Sequence, residues 1–527
     1  MCVLSLVALV FATVGGTRAY AATFTVTNTN DSGPGSLRQA ITDANASLGL
    51  DTIAFNIPGL GPHTIQLLSG LPAILDPVVI DGYTESGATP NTNAPGMEIN
   101  AVLKIELDGS LTDDTTWGLT IKADDTTVRG LTINRFSFDC CSFQGGMWVE
   151  GNGNVIEGNF IGTDVMGGTA APNNHGVLVL DGSDNRIGGV NGGAANLLSA
   201  NEYGVEIAGT GATGNLVQGN LIGTDATGTL DLGNSTGVWI LAAPSNVVGG
   251  DTVQERNVIS GNSMGILLQG ATGTLVQGNF IGTDVTGTIA LGNSDGVVIA
   301  DAYQNTIGGT APGAGNIIAF NAGVRVLAGT GNGILSNSIF SNAGLGIELG
   351  IFDLVTPNDV GDADGGPNNL QNFPVLTSAT GGSSTTIAGV LDTVANTLVR
   401  VEFFTNSACD TSGYGEGETF LGAMDVTTDG GGHASFVVTF PAAIAAGEFV
   451  TATATADNNT SEFSQCVTAA DGASAVGGIV EVHINAEPLA ADSGPVTRGF
   501  AALLAAASAV SVALVAVAFR ARRRWRR

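Results

Sequence analysis

The stretch GNFIGTD, residues 158–164, returns as GNLIGTD at 219–225 and as GNFIGTD at 278–284. Two further series keep step with it. NRIGG at 185–189 returns as NVVGG at 246–250 and NTIGG at 305–309, while NLLSAN, NVISGN and NIIAFN begin at Asn196, Asn257 and Asn316. The common period is 59 to 61 residues. A chain that repeats at fixed period stacks one supersecondary unit on the next, because no single unit can bury its apolar face alone.

A shorter unit sits inside the long one. A glycine followed by alternating apolar residues recurs at Gly118, Gly146, Gly176, Gly204, Gly237, Gly265, Gly296, Gly323 and Gly346, spaced 23 to 33 residues apart. Two coils therefore fill each long period. Each coil offers three short segments with apolar residues at i and i+2, such as GVWI, NVVGG and NVISGN. That alternation, rich in Val, Ile and Leu, marks half-buried strands, and none of the segments is long enough for a helix. Three short strands per coil predict a parallel β-helix over residues 111–350. About nine coils at ~4.8 Å each make a rod of roughly 43 Å. Gly and Asn suit the left-handed backbone of tight corners. Asn side chains in register can also hydrogen-bond along the rod. Asn159, Asn220 and Asn279 are read as structural on that ground.

Such a rod has two raw ends, each an open row of backbone donors and acceptors. SGPGSLRQAITDAN, residues 32–45, suits the first end. Ser36 and Gln39 form a capping box, and Leu37, Ala40, Ile41 and Ala44 line one helical face. Strands around 52–57 and 77–81 are expected to start the stack, within a lead-in of residues 22–110.

Residues 3–13 are apolar and Ala19-Tyr20-Ala21 supplies a small-residue cleavage site, so residues 1–21 read as a signal peptide. Residues 499–519 are uncharged, long enough at ~1.5 Å per residue to cross a ~30 Å hydrocarbon layer. Six arginines lie in 520–527, which places that tail in the cytoplasm and the rest outside. The expectation is an exported, surface-anchored protein with a single-pass segment. The same layout resembles the processed sorting signals of surface proteins, although LPxTG is absent. Residues 22–497 hold all 47 acidic residues against nine basic ones, a net charge of −38. That field excludes nucleic acid as a partner and repels polyuronates unless a divalent cation bridges them.

Beyond the repeats, residues 351–372 form an Asp/Asn/Gly-rich linker. In it Asn358, Asp359, Asp362, Asp364 and Asn368 are candidate Ca²⁺ ligands, oxygen-rich on a glycine-rich loop. Residues 373–468 alternate in the β manner, and their length fits an immunoglobulin-like sandwich. Residues 469–498, rich in Ala, Gly, Ser and Pro, read as a stalk. Cys409 and Cys466 bracket the sandwich and are expected to pair in an oxidising exterior. For adjacent Cys140 and Cys141 a vicinal bridge, free thiols and intermolecular links all stay open.

Taken together, SLRQAI at 36–41, LPAILDPVVIDGYT at 71–84, IELDGS at 105–110 and the three motif series resemble secreted bacterial right-handed parallel β-helix proteins with an SLREAI-like cap, in the pectate-lyase-like superfamily. The resemblance runs from about Thr23 to Cys466. It implies a right-handed all-β rod and export. The superfamily also holds polysaccharide lyases, hydrolases, tailspikes and adhesins, so the fold leaves the chemistry open.

Asp124, Asp125 and His175 are the weak catalytic candidates, since Asp124–Asp125, His175–Gly176 and Arg186 echo the superfamily's hydrolases. Against them, Tyr203, Thr236, Met264, Asp295 and Ala322 fill the position of His175 in other coils, and Gly188 stands where a lysine partner belongs. Asp164, Asp225 and Asp284 recur every second coil, ~10 Å apart. Paired glycosidase carboxylates stand ~5–9.5 Å apart, so these read as loop caps. Few aromatics are expected in a stacking row on the coil surface. The sequence thus favours a surface rod with a structural, adhesive or carbohydrate-binding role, its partners polysaccharide or cell-envelope components. The alternative is a surface-anchored polysaccharide lyase or glycoside hydrolase.

Overall fold

The computed structural model describes residues 21–137, 143–351 and 354–472. Of the stretches singled out in the sequence, residues 1–20 of the expected signal peptide, Cys140, Cys141, residues 473–498 of the expected stalk, and residues 499–527 lie outside these residues. No helix among the described residues is long and apolar enough to cross a membrane.

Three parallel sheets of 11, 10 and 9 strands run the length of the rod, each strand pairing with its equivalents one coil before and one coil after. From Ile105 onward each coil contributes one strand to each sheet. Thr127–Arg129, Leu131–Asn134 and Gly145–Val149 belong to the first, second and third sheets in turn. The nine strands of the third sheet are the nine glycine-led segments of the sequence. The first sheet adds rungs at Thr23–Val26 and Asp51–Phe55. The stack therefore starts ahead of the capping helix and has eleven rungs rather than about nine.

The glycine column has a steric cause. A Cβ on Gly176 would stand 2.4 Å from the Gly204 carbonyl oxygen, and one on Gly204 would stand 2.6 Å from that of Gly237. Coils close this tightly only where neither carries a side chain. Inside the rod, inward positions stack into apolar columns such as Val177, Val205, Val238, Ile266 and Val297, all fully buried.

At the corners, buried asparagines bond from coil to coil. The backbone N–H of Asn159 donates to Asn196 Oδ1 at 3.0 Å, and the chain continues through Asn220, Asn257, Asn279 and Asn316 to Asn337. A second ladder runs from Asn173 through Asn201, Asn234, Asn262, Asn293 and Asn321 to Asn342. A third starts Asn154, Asn185, Asn215, Asn246 and resumes at Asn305 and Asn332. Each amide satisfies backbone groups that a tight corner would otherwise leave buried and unpaired.

The helix Leu37–Ala46 covers the first end. Ser36 accepts from the Gln39 N–H, and Leu37, Ala40, Ile41 and Ala44 are the buried positions. The capping box is half made, because Gln39 Nε2 donates to Asp43 Oδ1 at 2.7 Å instead of reaching back. Two antiparallel sheets, of three and five strands, follow the rod and share one core that includes Ile387, Leu391, Val401, Phe403 and Phe436. Cys409 and Cys466 are disulfide-bonded.

These sheets close the second end of the rod. Glu402 accepts the Ser336 N–H at 2.7 Å, and Glu416 accepts from Asn342 Nδ2 at 2.8 Å. Glu462 accepts the Leu349 N–H at 3.0 Å. Asn368 accepts the Asn332 N–H at 3.1 Å and so extends the third ladder by one step. Phe404 and Phe463 complete the rod's own apolar core. The stretch read as a linker thus carries a buried rung, and Asn368 belongs to the ladder rather than to a metal loop.

Candidate functional site

The outward face of the third sheet carries the site. Strand alternation turns Val177 and Val205 inward and Leu178 and Glu206 outward, and parallel pairing stacks equivalent residues at ~4.8 Å. His175 and Tyr203 share the parity of the inward valines but stand ahead of the glycine column, and their rings pack with Trp117 and Trp239, beside the outward residues. Their column reads Trp117, Gly145, His175, Tyr203, Thr236. The outward column reads Thr120, Trp148, Leu178, Glu206, Trp239.

The rings in these columns form one strip. Trp117 lies 5.4 Å from His175 and 5.7 Å from Trp148, centroid to centroid. His175 lies 5.0 Å from Tyr203, which lies 5.1 Å from Trp239. Phe143 packs at 5.3 Å against both Trp117 and Trp148. Trp117 and His175 are two rungs apart and meet only because Gly145 between them has no side chain. A Cβ there would stand 2.7 Å from Trp117 Cζ3 and 2.8 Å from His175 Cβ.

The strip has polar handles. The indole nitrogens of Trp117, Trp148 and Trp239 have no hydrogen-bond partner among the described residues, and Trp117 is only 5 % exposed. Buried indole N–H groups ordinarily find an acceptor, so three such buried, unpaired donors in one strip are an uncommon arrangement. His175 Nδ1 approaches Glu206 Oε2 at 3.0 Å without well-aligned hydrogen-bond geometry. Lys122 sits 5.6 Å above the Trp148 ring and pairs with Glu150 at 2.9 Å. Beside the strip runs a groove of about 540 Å³ lined by Asn174, Glu202, Asp231, Ser235 and Ser263 among others. Four of these residues immediately precede strand heads of the third sheet.

The sequence-based candidates separate. Asp124 accepts from the Asn152 N–H at 2.7 Å and bridges two turns, and Asp125 has a left-handed backbone with φ 54°. Both lie at the corner after a third-sheet strand, whereas His175 begins one. About six residues of strand, roughly 20 Å at ~3.3 Å each, part them in addition to the two rungs. They build no common site. Asp164, Asp225 and Asp284 cap their loops, as their spacing suggested: Asp225 Oδ1 accepts the Leu230 N–H at 3.0 Å, and the other two repeat the pattern. Arg186 pairs with Glu157 at 3.1 Å.

Of the five candidate calcium ligands, Asp359, Asp362 and Asp364 come together, each offering a carboxylate oxygen within 4.8 Å of the others. Asn358 instead clips the backbone of Phe373 through two hydrogen bonds. Burial pushes the Asp362 carboxyl above its usual range, and the like charges of Asp359 and Asp364 push the same way.

The aromatic strip is a fuller stacking row than the few surface aromatics expected. Apart from Phe143 and Trp148, which share a coil, its successive members are 26 to 36 residues apart along the chain and converge only through the register. A signal was available: aligning the repeat glycines places Trp117, Gly145, His175 and Tyr203 in one column directly before them.

No family model matches the chain, and no curated protein matches it. Among solved structures it is similar to the A-module of mannuronan C-5 epimerase AlgE4 from Azotobacter vinelandii, at 12 % identity and TM-score 0.30, covering 63 % of this chain and 98 % of that one. It is similar to the AlgE6 A-module of the same organism at 13 % identity and TM-score 0.23, covering 64 % and 100 %. It is also similar to tailspike protein 2 of the Escherichia coli O157:H7 bacteriophage CAB120, at 11 % identity and TM-score 0.26, covering 82 % and 65 %.

Proposed function

We propose that this chain is an exported cell-surface rod that binds carbohydrate along the outward face of its third sheet. The carrying observation is the aromatic strip, in which Trp148, Tyr203 and Trp239 are half-buried and Phe143 is exposed. Apolar ring surface buries against a pyranose ring, the contact that aromatic side chains supply at binding faces. The role is adhesive or structural. The sandwich is of the immunoglobulin-like kind, and the apolar segment 499–519 holds the protein at the membrane or directs its processing. Ca²⁺ is the ion suited to Asp359, Asp362 and Asp364, whose crowded carboxylates it would neutralise with hard oxygen ligands.

The test is binding and product release together. Full-length protein is titrated with neutral and acidic polysaccharides, with and without Ca²⁺, by tryptophan fluorescence, and the mixtures are chromatographed for new chain ends. Binding without cleavage supports the reading, and Trp239→Ala should weaken it about tenfold while leaving the melt unchanged. Binding to none of the polymers would sink it. New chain ends would turn the reading to a lyase or hydrolase.

A further inference from the structure

The charges around the strip choose among sugars, granted the carbohydrate reading on which this step rests. Glu202 and Asp231 line the groove beside the rings, and no lysine or arginine is among its lining residues. The Glu202 side chain is neither hydrogen-bonded nor ion-paired among the described residues, and Asp231 Oδ1 takes only the Gly233 N–H, at 2.8 Å. Lys122, 5.6 Å from the Trp148 ring, is already paired with Glu150. Hydroxyls of Ser235 and Ser263 add acceptors to the same lining. Tyr203, whose ring is 5.1 Å from Trp239, directly follows Glu202 in the chain. Carboxylates, hydroxyl oxygens and electron-rich ring faces together make a receptor for an ammonium group. The same set repels a carboxylated or sulfated sugar and gains nothing from an uncharged one.

We propose that the face takes an amino-sugar chain bearing free ammonium groups, its rings on the aromatic strip and an ammonium in the groove lined by Glu202 and Asp231. Recognition is then divided in two. The strip binds sugar rings of any charge, and the groove discriminates by charge. The net −38 of residues 22–497 acts in the same direction at longer range, where salt screens it.

The experiment titrates full-length protein with four oligomers of equal length: β-linked glucosamine with free amines, its fully N-acetylated form, an uncharged glucan and an oligogalacturonate. The pH is one that keeps the amines protonated, and both low and high salt are used. The free-amine chain is expected to bind about tenfold tighter than the acetylated one at low salt, and high salt should narrow that gap. The double variant Glu202→Gln, Asp231→Asn should close the gap while acetylated binding and the melting temperature stay as they were. Trp239→Ala should weaken both chains.

Equal affinity for free and acetylated chains would overturn the ammonium site and leave the carbohydrate reading standing. A gap that survives the double variant would also overturn it, since general charge rather than the groove would then discriminate. Preference for the oligogalacturonate has the same force. If none of the four oligomers binds, the carbohydrate reading itself fails and this step goes with it.

Discussion

Gly145 has no side chain where its neighbours in the column, Trp117 and His175, carry rings. An added Cβ would also stand 2.4 Å from the His175 carbonyl oxygen, backbone that cannot swing aside. Gly145→Ala should therefore cost about 1–3 kcal/mol by overpacking and separate the two rings. A lowered melt together with a changed near-ultraviolet circular dichroism signal would show it; a wild-type spectrum would mean that the strip tolerates a gap. Asn220 tests the other kind of column. Its amide donates to the Ile187 and Gln218 carbonyls and to Asn257 Oδ1, and its oxygen receives the Asn196 N–H. Asn220→Ala strands several buried polar groups at ~1–3 kcal/mol each, so at least about 3 kcal/mol should be lost in urea unfolding. Carbohydrate affinity should survive at temperatures where the rod is folded, because Asn220 lies away from the third sheet's outer face.

At the scale of elements, the closing sandwich makes the rod's stability respond to pH. Burial raises the carboxyls of Glu416 and Glu462 to about 7, against the hydrogen bonds from Asn342, Leu349 and Thr356 that favour their charged forms. A raised acid binds more protons folded than unfolded between about pH 4.5 and 7. Its stabilising contribution is complete below about pH 4.5 and is lost as pH rises through about 7. Urea midpoints should therefore fall from pH 5 to pH 8. General self-repulsion of an acidic chain gives the same direction, so the decisive comparison is Glu416→Gln, whose slope should be shallower than that of the parent. Equal slopes would mean that Glu416 titrates alike in both states. The elements themselves were largely legible. The glycine-led segments fixed all nine third-sheet strands, and Ser36 and its apolar face located the helix. The cap was not legible. Glu402, Glu416 and Glu462 lie in stretches that read as ordinary sandwich sequence, and only docking makes their carboxylates partners of Ser336, Asn342 and Leu349. The aromatic strip was hidden for a related reason: each ring is unremarkable in its own coil, and only the register, with one missing side chain at Gly145, assembles them.

For the molecule as a whole, the segment that joins rod and sandwich also carries the acidic triad, so the calcium binding proposed for it would act on global stability. Asp362 accepts the Asn372 N–H at 3.0 Å and bonds the Thr393 hydroxyl, while Asn368 a few residues on is the last rung of a ladder. Three carboxylates held this close repel one another, and an ion that relieves the repulsion binds the folded form alone. Ligand at a hundred times its dissociation constant then adds ~2.7 kcal/mol, which raises the melting temperature. A chain this acidic is also stabilised by any salt through screening, so the measurement must separate the two effects. Melts at constant ionic strength should rise with millimolar Ca²⁺, return with a chelator, and respond little to Mg²⁺, which demands tighter octahedral geometry. Asp364→Asn should abolish the calcium increment and leave the salt response intact. Because the triad sits beside the joint, the increment should appear in unfolding of rod and sandwich together rather than in a separate sandwich transition. A calcium effect that sodium chloride reproduces in full would reduce the triad to a solvated acidic turn, and the joint would then depend on Glu402, Glu416, Glu462 and Asn368 alone.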